Sequence, residues 1–264
     1  MENIEKIREK IDLYDDELIG LLEKRMECIK EIIDIKKEKG LAILQSDYEN
    51  KKEVALIKKL NDNKFENEII DIFRYVVKTS KKIQAKSLFS YNIMLVGFMG
   101  VGKSTISSYL SHLLEMERVE TDSYIVKQQG MSISDIFEKL GEEYFRNLES
   151  QVIIDLQQKT GLVVSCGGGI VLRDKNVEYM KKSGRIVLLT ASPETILQRV
   201  KHSDERPILN NNMNVEFIAD LMKKREAKYM ASADIIINTD NKTIKEICEE
   251  MIVKLTEFDR EVQI

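Results

Sequence analysis

The run Gly97-Phe98-Met99-Gly100-Val101-Gly102-Lys103-Ser104-Thr105 has the spacing glycine, four residues, Gly-Lys-Ser, a pattern that holds phosphate. Its glycines let successive backbone N–H groups turn toward phosphate oxygens, and a helix starting behind them adds its positive N-terminus. Lys103 is spaced to reach β- and γ-phosphates, and Ser104 to ligate Mg²⁺. The run needs a strand before it and a helix after it. Asn92 to Val96 reads as the strand, and helical spacing follows from Thr105 to Leu114. A nucleoside triphosphate is therefore expected to bind at Gly97, Gly100, Val101, Gly102, Lys103, Ser104 and Thr105.

Further chemistry-bearing residues follow the loop. Glu120-Thr121-Asp122 ends a short apolar stretch, where strand ends of such folds face the phosphates. Carboxylates there can hold Mg²⁺ through water or accept a hydroxyl proton; equally, Thr121 or Asp122 could cap a helix. Arg146 lies three residues before Glu149 in a helical run, where a solvated surface arginine is the plain alternative. Gly167-Gly168-Gly169 ends another strand pattern, giving either close ligand approach or a tight turn. Arg206-Pro207-Ile208-Leu209 sits in a polar stretch, either a mobile arginine-bearing segment or a surface loop. Arg225 and Tyr229 follow, one helical turn apart.

These residues need a parallel sheet to position them. Apolar runs of strand length at Ile93–Val96, Leu162–Ser165, Ile186–Leu189 and Ile235–Ile237, with a weaker one near Val119, alternate with helical patterns. That alternation predicts an α/β domain with a five-stranded parallel sheet over residues 91–264. Before residue 88 the pattern is helical throughout. Ile4, Ile7, Ile11, Leu18, Leu21, Leu22, Ile29, Ile32 and Ile35 recur at three- and four-residue steps up to Gly40. A helix of that length spans about 54 Å, too long for a small domain. Asp47–Leu60 and Glu66–Lys86 predict two more. Three such helices cannot enclose a core alone, so a second copy is the simplest cover for the apolar stripe.

Composition narrows the partners. Of 264 residues, 43% are hydrophobic, enough for real cores in two domains, 1–88 and 91–264. A net charge of −4 leaves no cationic excess to neutralise nucleic-acid phosphates. Three widely spaced cysteines cannot pair completely, which predicts reduced thiols and a cytoplasmic setting. The N-terminus alternates charge and aliphatic residues, so neither signal peptide nor membrane span is expected.

On the long helix, Arg25 and Lys36 fall within about 20° of each other, while Arg8 is displaced by about 100°. Two cations on an inner face are costly unless they meet an anion. Arg8 is expected to serve a site on another subunit. Ser80 and Gln84 share a face of the third helix.

The ordered set Gly-x4-Gly-Lys-Ser, Glu120-Thr121-Asp122, Gly141-Glu-x-x-Phe-Arg-x-x-Glu149, the glycine triad, Arg206-Pro-x-Leu209 and Arg225-x-x-x-Tyr229 resembles shikimate kinase. The resemblance implies that Asp122, Arg146, Gly168 and Arg225 bind shikimate, with Asp122 as base. It also makes Arg206 a lid arginine over the transferring phosphate and Arg199 an adenine-side arginine. Glu120 stands where the family has aspartate, and its contact to Mg²⁺ would run through water. Rival small-metabolite kinases, such as a gluconate kinase, are disfavoured by Asp122, Arg146 and Arg225.

The first segment, through Ile7-Arg8-Glu9-Lys10-Ile11-Asp12, Leu22-x-x-Arg25, Lys36 and Ser80-x-x-x-Gln84, resembles the all-helical chorismate mutases that form intertwined dimers. That resemblance implies that Arg8 of the partner subunit, Arg25 and Lys36 hold chorismate, with Glu49, Ser80 and Gln84 completing the pocket. Tyr48 and Gln45 depart from it, replacing the family's arginine and aspartate. The expectation is a homodimeric bifunctional enzyme using ATP and Mg²⁺; the alternative is a shikimate kinase whose helices only dimerise it or sense chorismate or prephenate.

Overall fold

A computed structural model describes residues 2–39, 54–55, 57–60, 64–201 and 214–262. The chain divides into two compact units, Met1–Ser87 and Leu88–Ile264. In the first, the apolar spacing forms α1 (Glu2–Lys39) and α2 (Glu66–Leu88). The intervening pattern at Asp47–Leu60 falls mostly outside the described residues; residues 54–55 and 57–60 are helical.

The second unit starts with β1 (Asn92–Val96), α3 (Lys103–Leu114), β2 (Glu117–Glu120), α4 (Thr121–Gln129), α5 (Ile133–Leu140) and α6 (Glu142–Leu156). It continues with β3 (Leu162–Ser165), α7 (Asp174–Ser183), β4 (Gly184–Thr190), α8 (Pro193–Val200), α9 (Val215–Ser232), β5 (Ile235–Asn238) and α10 (Ile244–Val262). The strands form an all-parallel sheet in the order β2-β3-β1-β4-β5. Burial follows position in that order. Central β1 and β3 are buried at every residue, as strands covered on both faces must be. Edge strand β5 alternates buried and exposed, and edge strand β2 has no fully buried residue, which is why its sequence signal is weak. Met94 and Val96 join one core with Ile125, Val152, Ile153 and Met180. Ile93 and Leu95 point to the opposite face, where α3 and α10 pack together.

Local chemistry fixes the helix starts. Ser192 accepts a hydrogen bond from the Thr195 N–H, with Pro193 at the first helical position of α8. Asn214 caps α9 by accepting from the Phe217 N–H at 2.8 Å. These caps aim α8 and α9, which carry Arg199 and Arg225.

Candidate active site

The phosphate loop leaves β1 at Val96 and enters α3 at Lys103. Gly97, Gly100 and Gly102 have φ of 141°, 84° and 99°, a region side chains rarely adopt. A Cβ on Gly97 would also lie 2.4 Å from the Leu189 carbonyl oxygen. Lys103 Nζ donates to the carbonyls of Gly97 at 2.8 Å and Phe98 at 3.1 Å. Its ammonium is thus held across the cradle. Ser104 and Thr105 are exposed on the first turn behind it. From α8, Arg199 donates to the Val101 carbonyl at 3.1 Å and to the Thr239 hydroxyl and carbonyl at 2.9 and 3.0 Å. Arg199 therefore braces the loop as well as lining the cleft.

At the end of β2, neither Thr121 nor Asp122 is a cap. The capping position is Glu120, whose side chain makes no capping bond, and α4 starts at Thr121. Thr121 is buried, and its hydroxyl accepts from the Gly167 N–H at 2.8 Å. Glu120 accepts directly from the Ser104 hydroxyl. Its second oxygen accepts from Arg118 at 3.2 Å and Ser123 at 3.3 Å. One hydroxyl and one carboxylate oxygen at the cleft edge suit Mg²⁺, which keeps phosphate and water ligands. Asp122 is set deeper. Burial pushes its carboxyl above the usual range, and the Lys103 charge opposes the shift.

Arg146 is no solvated surface residue; its side chain is 15% exposed. It donates to Glu149 at 2.7 Å and Glu142 at 2.8 Å. Burial works against its charge, but the two glutamates outweigh it and hold the guanidinium more firmly protonated. Glu149 is buried, and burial raises its pKa. Its second oxygen, Oε1, finds no hydrogen-bond partner among the described residues.

The glycine triad provides room. None of its residues has positive φ, so turn geometry does not demand glycine there. A Cβ on Gly167 would sit 2.6 Å from Asp122 Oδ1 and 2.9 Å from Glu149 Oε1, and one on Gly169 would sit 2.0 Å from Arg146 Nη1. From α9, Arg225 lies over the Phe98 ring at 6.0 Å, and the Tyr229 hydroxyl donates to the Gly168 carbonyl. One cleft of 1240 Å³ joins the phosphate loop with Asp122, Arg146, Gly168, Arg199 and Arg225. Arg206 lies outside the described residues. The hydroxyls of Thr121 and Tyr229 and the burial of Glu149 enter this site without having been singled out from sequence for those roles.

In the helical unit, Arg25 of α1 donates to the buried Ser80 hydroxyl of α2, which itself donates to the Val76 carbonyl at 2.8 Å. Lys36 and Gln84 are half-buried, and Arg8 is exposed. Gln45, Tyr48 and Glu49 lie outside the described residues.

The family model described as "Shikimate kinase" matches residues 99–256, and that for "Chorismate mutase type II" matches residues 7–85. A shikimate kinase of Dehalococcoides mccartyi is 40% identical over 168 residues, which cover 64% of this chain and 95% of that protein. One from a Sulfurihydrogenibium species is 44% identical over 164 residues, covering 62% and 97%. Among solved structures, the Acinetobacter baumannii shikimate kinase in complex with shikimate superposes with a TM-score of 0.60 at 33% identity, covering 64% of this chain and 94% of that one. The Aquifex aeolicus shikimate kinase gives a TM-score of 0.54 at 38% identity, covering 62% and 95%.

Proposed function

This chain belongs to the shikimate kinase family and carries a chorismate mutase domain before the kinase, and we propose how its residues divide the work of a bifunctional enzyme of aromatic amino-acid biosynthesis. In the kinase, ATP lies on the Gly97–Thr105 loop with Arg199 beside it. Lys103 moves from the Gly97 and Phe98 carbonyls to the β/γ-phosphate oxygens, an exchange of acceptors. Ser104, and Glu120 through water, would hold Mg²⁺, whose charge would offset that of the phosphates. Arg146 and Arg225 take the carboxylate of shikimate, and the Gly168 backbone takes a hydroxyl. Asp122 accepts the proton of the attacking hydroxyl; its raised pKa makes it a better base than an ordinary aspartate. The family resemblance gives Arg206 the role of neutralising the transferring phosphate.

The observation that carries this reading is one cleft that brings the phosphate loop together with Asp122, Arg146 and Arg225. Arg146→Ala should raise KM for shikimate far more than KM for ATP. An equal rise in both would remove the assignment.

In the mutase, Arg25 and Lys36 with the partner's Arg8 bind the carboxylates and ether oxygen of chorismate, and Glu49, Ser80 and Gln84 complete the pocket. No nucleophile is needed. Holding the compact conformer and facing cations toward the developing charge on the ether oxygen supply the rate. The Arg25–Ser80 hydrogen bond supports this pocket. The enzyme is a homodimer through its N-terminal helices. Ile4, Ile7, Ile11 and Leu21, each more than half exposed on α1, are the face a second copy would cover. Free thiols at Cys28, Cys166 and Cys248 support a cytoplasmic enzyme.

A further inference from the structure

Tyr229 is 5% exposed, with its ring in the core beneath the sheet's glycine triad. Its hydroxyl lies at the boundary between that core and the cleft. The phenol donates its single proton to the Gly168 carbonyl, and the Arg225 charge is near enough to act on it. A guanidinium can only donate and a carbonyl can only accept. The phenol proton is therefore committed to Gly168, leaving only lone pairs of its oxygen for the nearby guanidinium. Burial pushes the Tyr229 pKa up to about 12, so the donor stays protonated at working pH.

The rest of the triad's backbone is already held. Thr121 takes the Gly167 N–H at 2.8 Å, and the Ile170 N–H bonds the Gly167 carbonyl at 3.2 Å. With the Gly168 carbonyl held by Tyr229, the peptide planes on both sides of the Gly168 Cα each have a hydrogen bond. A Cβ built on Gly168 would meet Gly97 O at 3.8 Å and Met99 N at 3.9 Å, so the triad lies beside the phosphate loop at ordinary contact distance.

We infer that Tyr229 is a positioning residue for shikimate, fixing the Gly168 backbone through its hydroxyl without touching the reacting atoms. This rests on the reading that Gly168 and Arg225 bind shikimate. The consequence is specific. Losing the hydroxyl should loosen the Gly168 contact to shikimate and leave the nucleotide side alone.

The test is Tyr229→Phe in the full-length chain, which keeps the buried ring, with Arg225→Ala alongside. Shikimate affinity is measured by calorimetry without nucleotide, and KM for both substrates by ADP formation. Removing one partner from a buried hydrogen bond predicts a rise of about tenfold in KM and in the dissociation constant for shikimate. kcat and KM for ATP should stay within about twofold of the starting enzyme. In the double variant, Tyr229→Phe should add less than its single effect, because Gly168 and Arg225 hold the same ligand. Unchanged shikimate affinity in Tyr229→Phe, with a large effect of Arg225→Ala, overturns the inference and leaves the site reading standing. A parallel change in kcat and both KM values assigns the tyrosine to packing and also overturns it. If Arg225→Ala leaves shikimate binding intact, the site reading and the inference fall together.

Discussion

In the C-terminal unit, the cations proposed to bind substrate lie against groups of their own chain: Arg146 sits between Glu142 and Glu149, and Arg225 lies over the Phe98 ring. The N-terminal unit differs. Arg25 reaches Ser80 across its two described helices, but Arg8 is exposed on a helix whose isoleucines are exposed beside it. A parallel sheet with helices on both faces can bury the walls of a cleft from one chain. Among the described residues, the apolar face of α1 around Arg8 stays exposed. The cleft of the C-terminal unit is lined by one chain, whereas the pocket proposed for the helices draws Arg8 from a second copy.

Separate substitutions should break this contrast or sharpen it. The largest effect belongs to Lys103→Met, which should lower shikimate-dependent ADP formation by about 10³-fold or more by removing a charge from the transferring phosphate. Chorismate loss by the same preparation should be unchanged. A joint loss would mean that the two units are coupled.

Asp122→Asn comes next. Removing the base should cost about 10²-fold or more in kcat. Stability should move the other way. A carboxyl whose folded pKa is raised stabilises the fold below its unfolded pKa, and that contribution is lost as pH rises through the folded pKa. At neutral pH the buried charge is therefore a burden, and the amide should raise Tm by a few degrees in a thermal melt. A drop in Tm would show that the Lys103 attraction outweighs burial.

A mixing experiment addresses the helical unit. Arg8→Ala and Arg25→Ala chains should each lack mutase activity. Unfolded and refolded together, they should regain about a quarter of it, because half the dimers would hold one intact pocket if Arg8 crosses the two-fold axis. No recovery, with dimers present by sedimentation, would place Arg8 in its own chain's pocket. The smallest effect is on pH. The acid limb of kcat/KM for the kinase should lie above the ordinary aspartate value of 3.8 and vanish in Asp122→Asn.

Some of this was legible in the sequence. The phosphate loop carries its own context, and the fully buried strands read as apolar runs because the sheet covers them on both faces. Edge strand β2 was faint because half its residues are exposed. What escaped were bonds between distant positions. Thr121 meets Gly167 across 46 residues and Tyr229 meets Gly168 across 61, and periodicity is blind at that range. Local spacing offered a cap for Thr121, but packing against the triad supplied a different partner. The Arg146–Glu149 pair, three apart on one helix, was within reach of local reasoning.

Chain order and spatial order differ in the sheet, and that bears on synthesis. β1 is made first but lies in the middle, pairing with Val163 on one side and Arg185 on the other through Ile93. While the chain grows, Ile93-Met94-Leu95-Val96 leaves the ribosome long before either neighbour exists. The segment must wait, apolar and unpaired, until β3 and β4 follow. Nascent chains halted before Thr190 should therefore associate with chaperones or aggregate, whereas those halted past Asn238 can close the sheet.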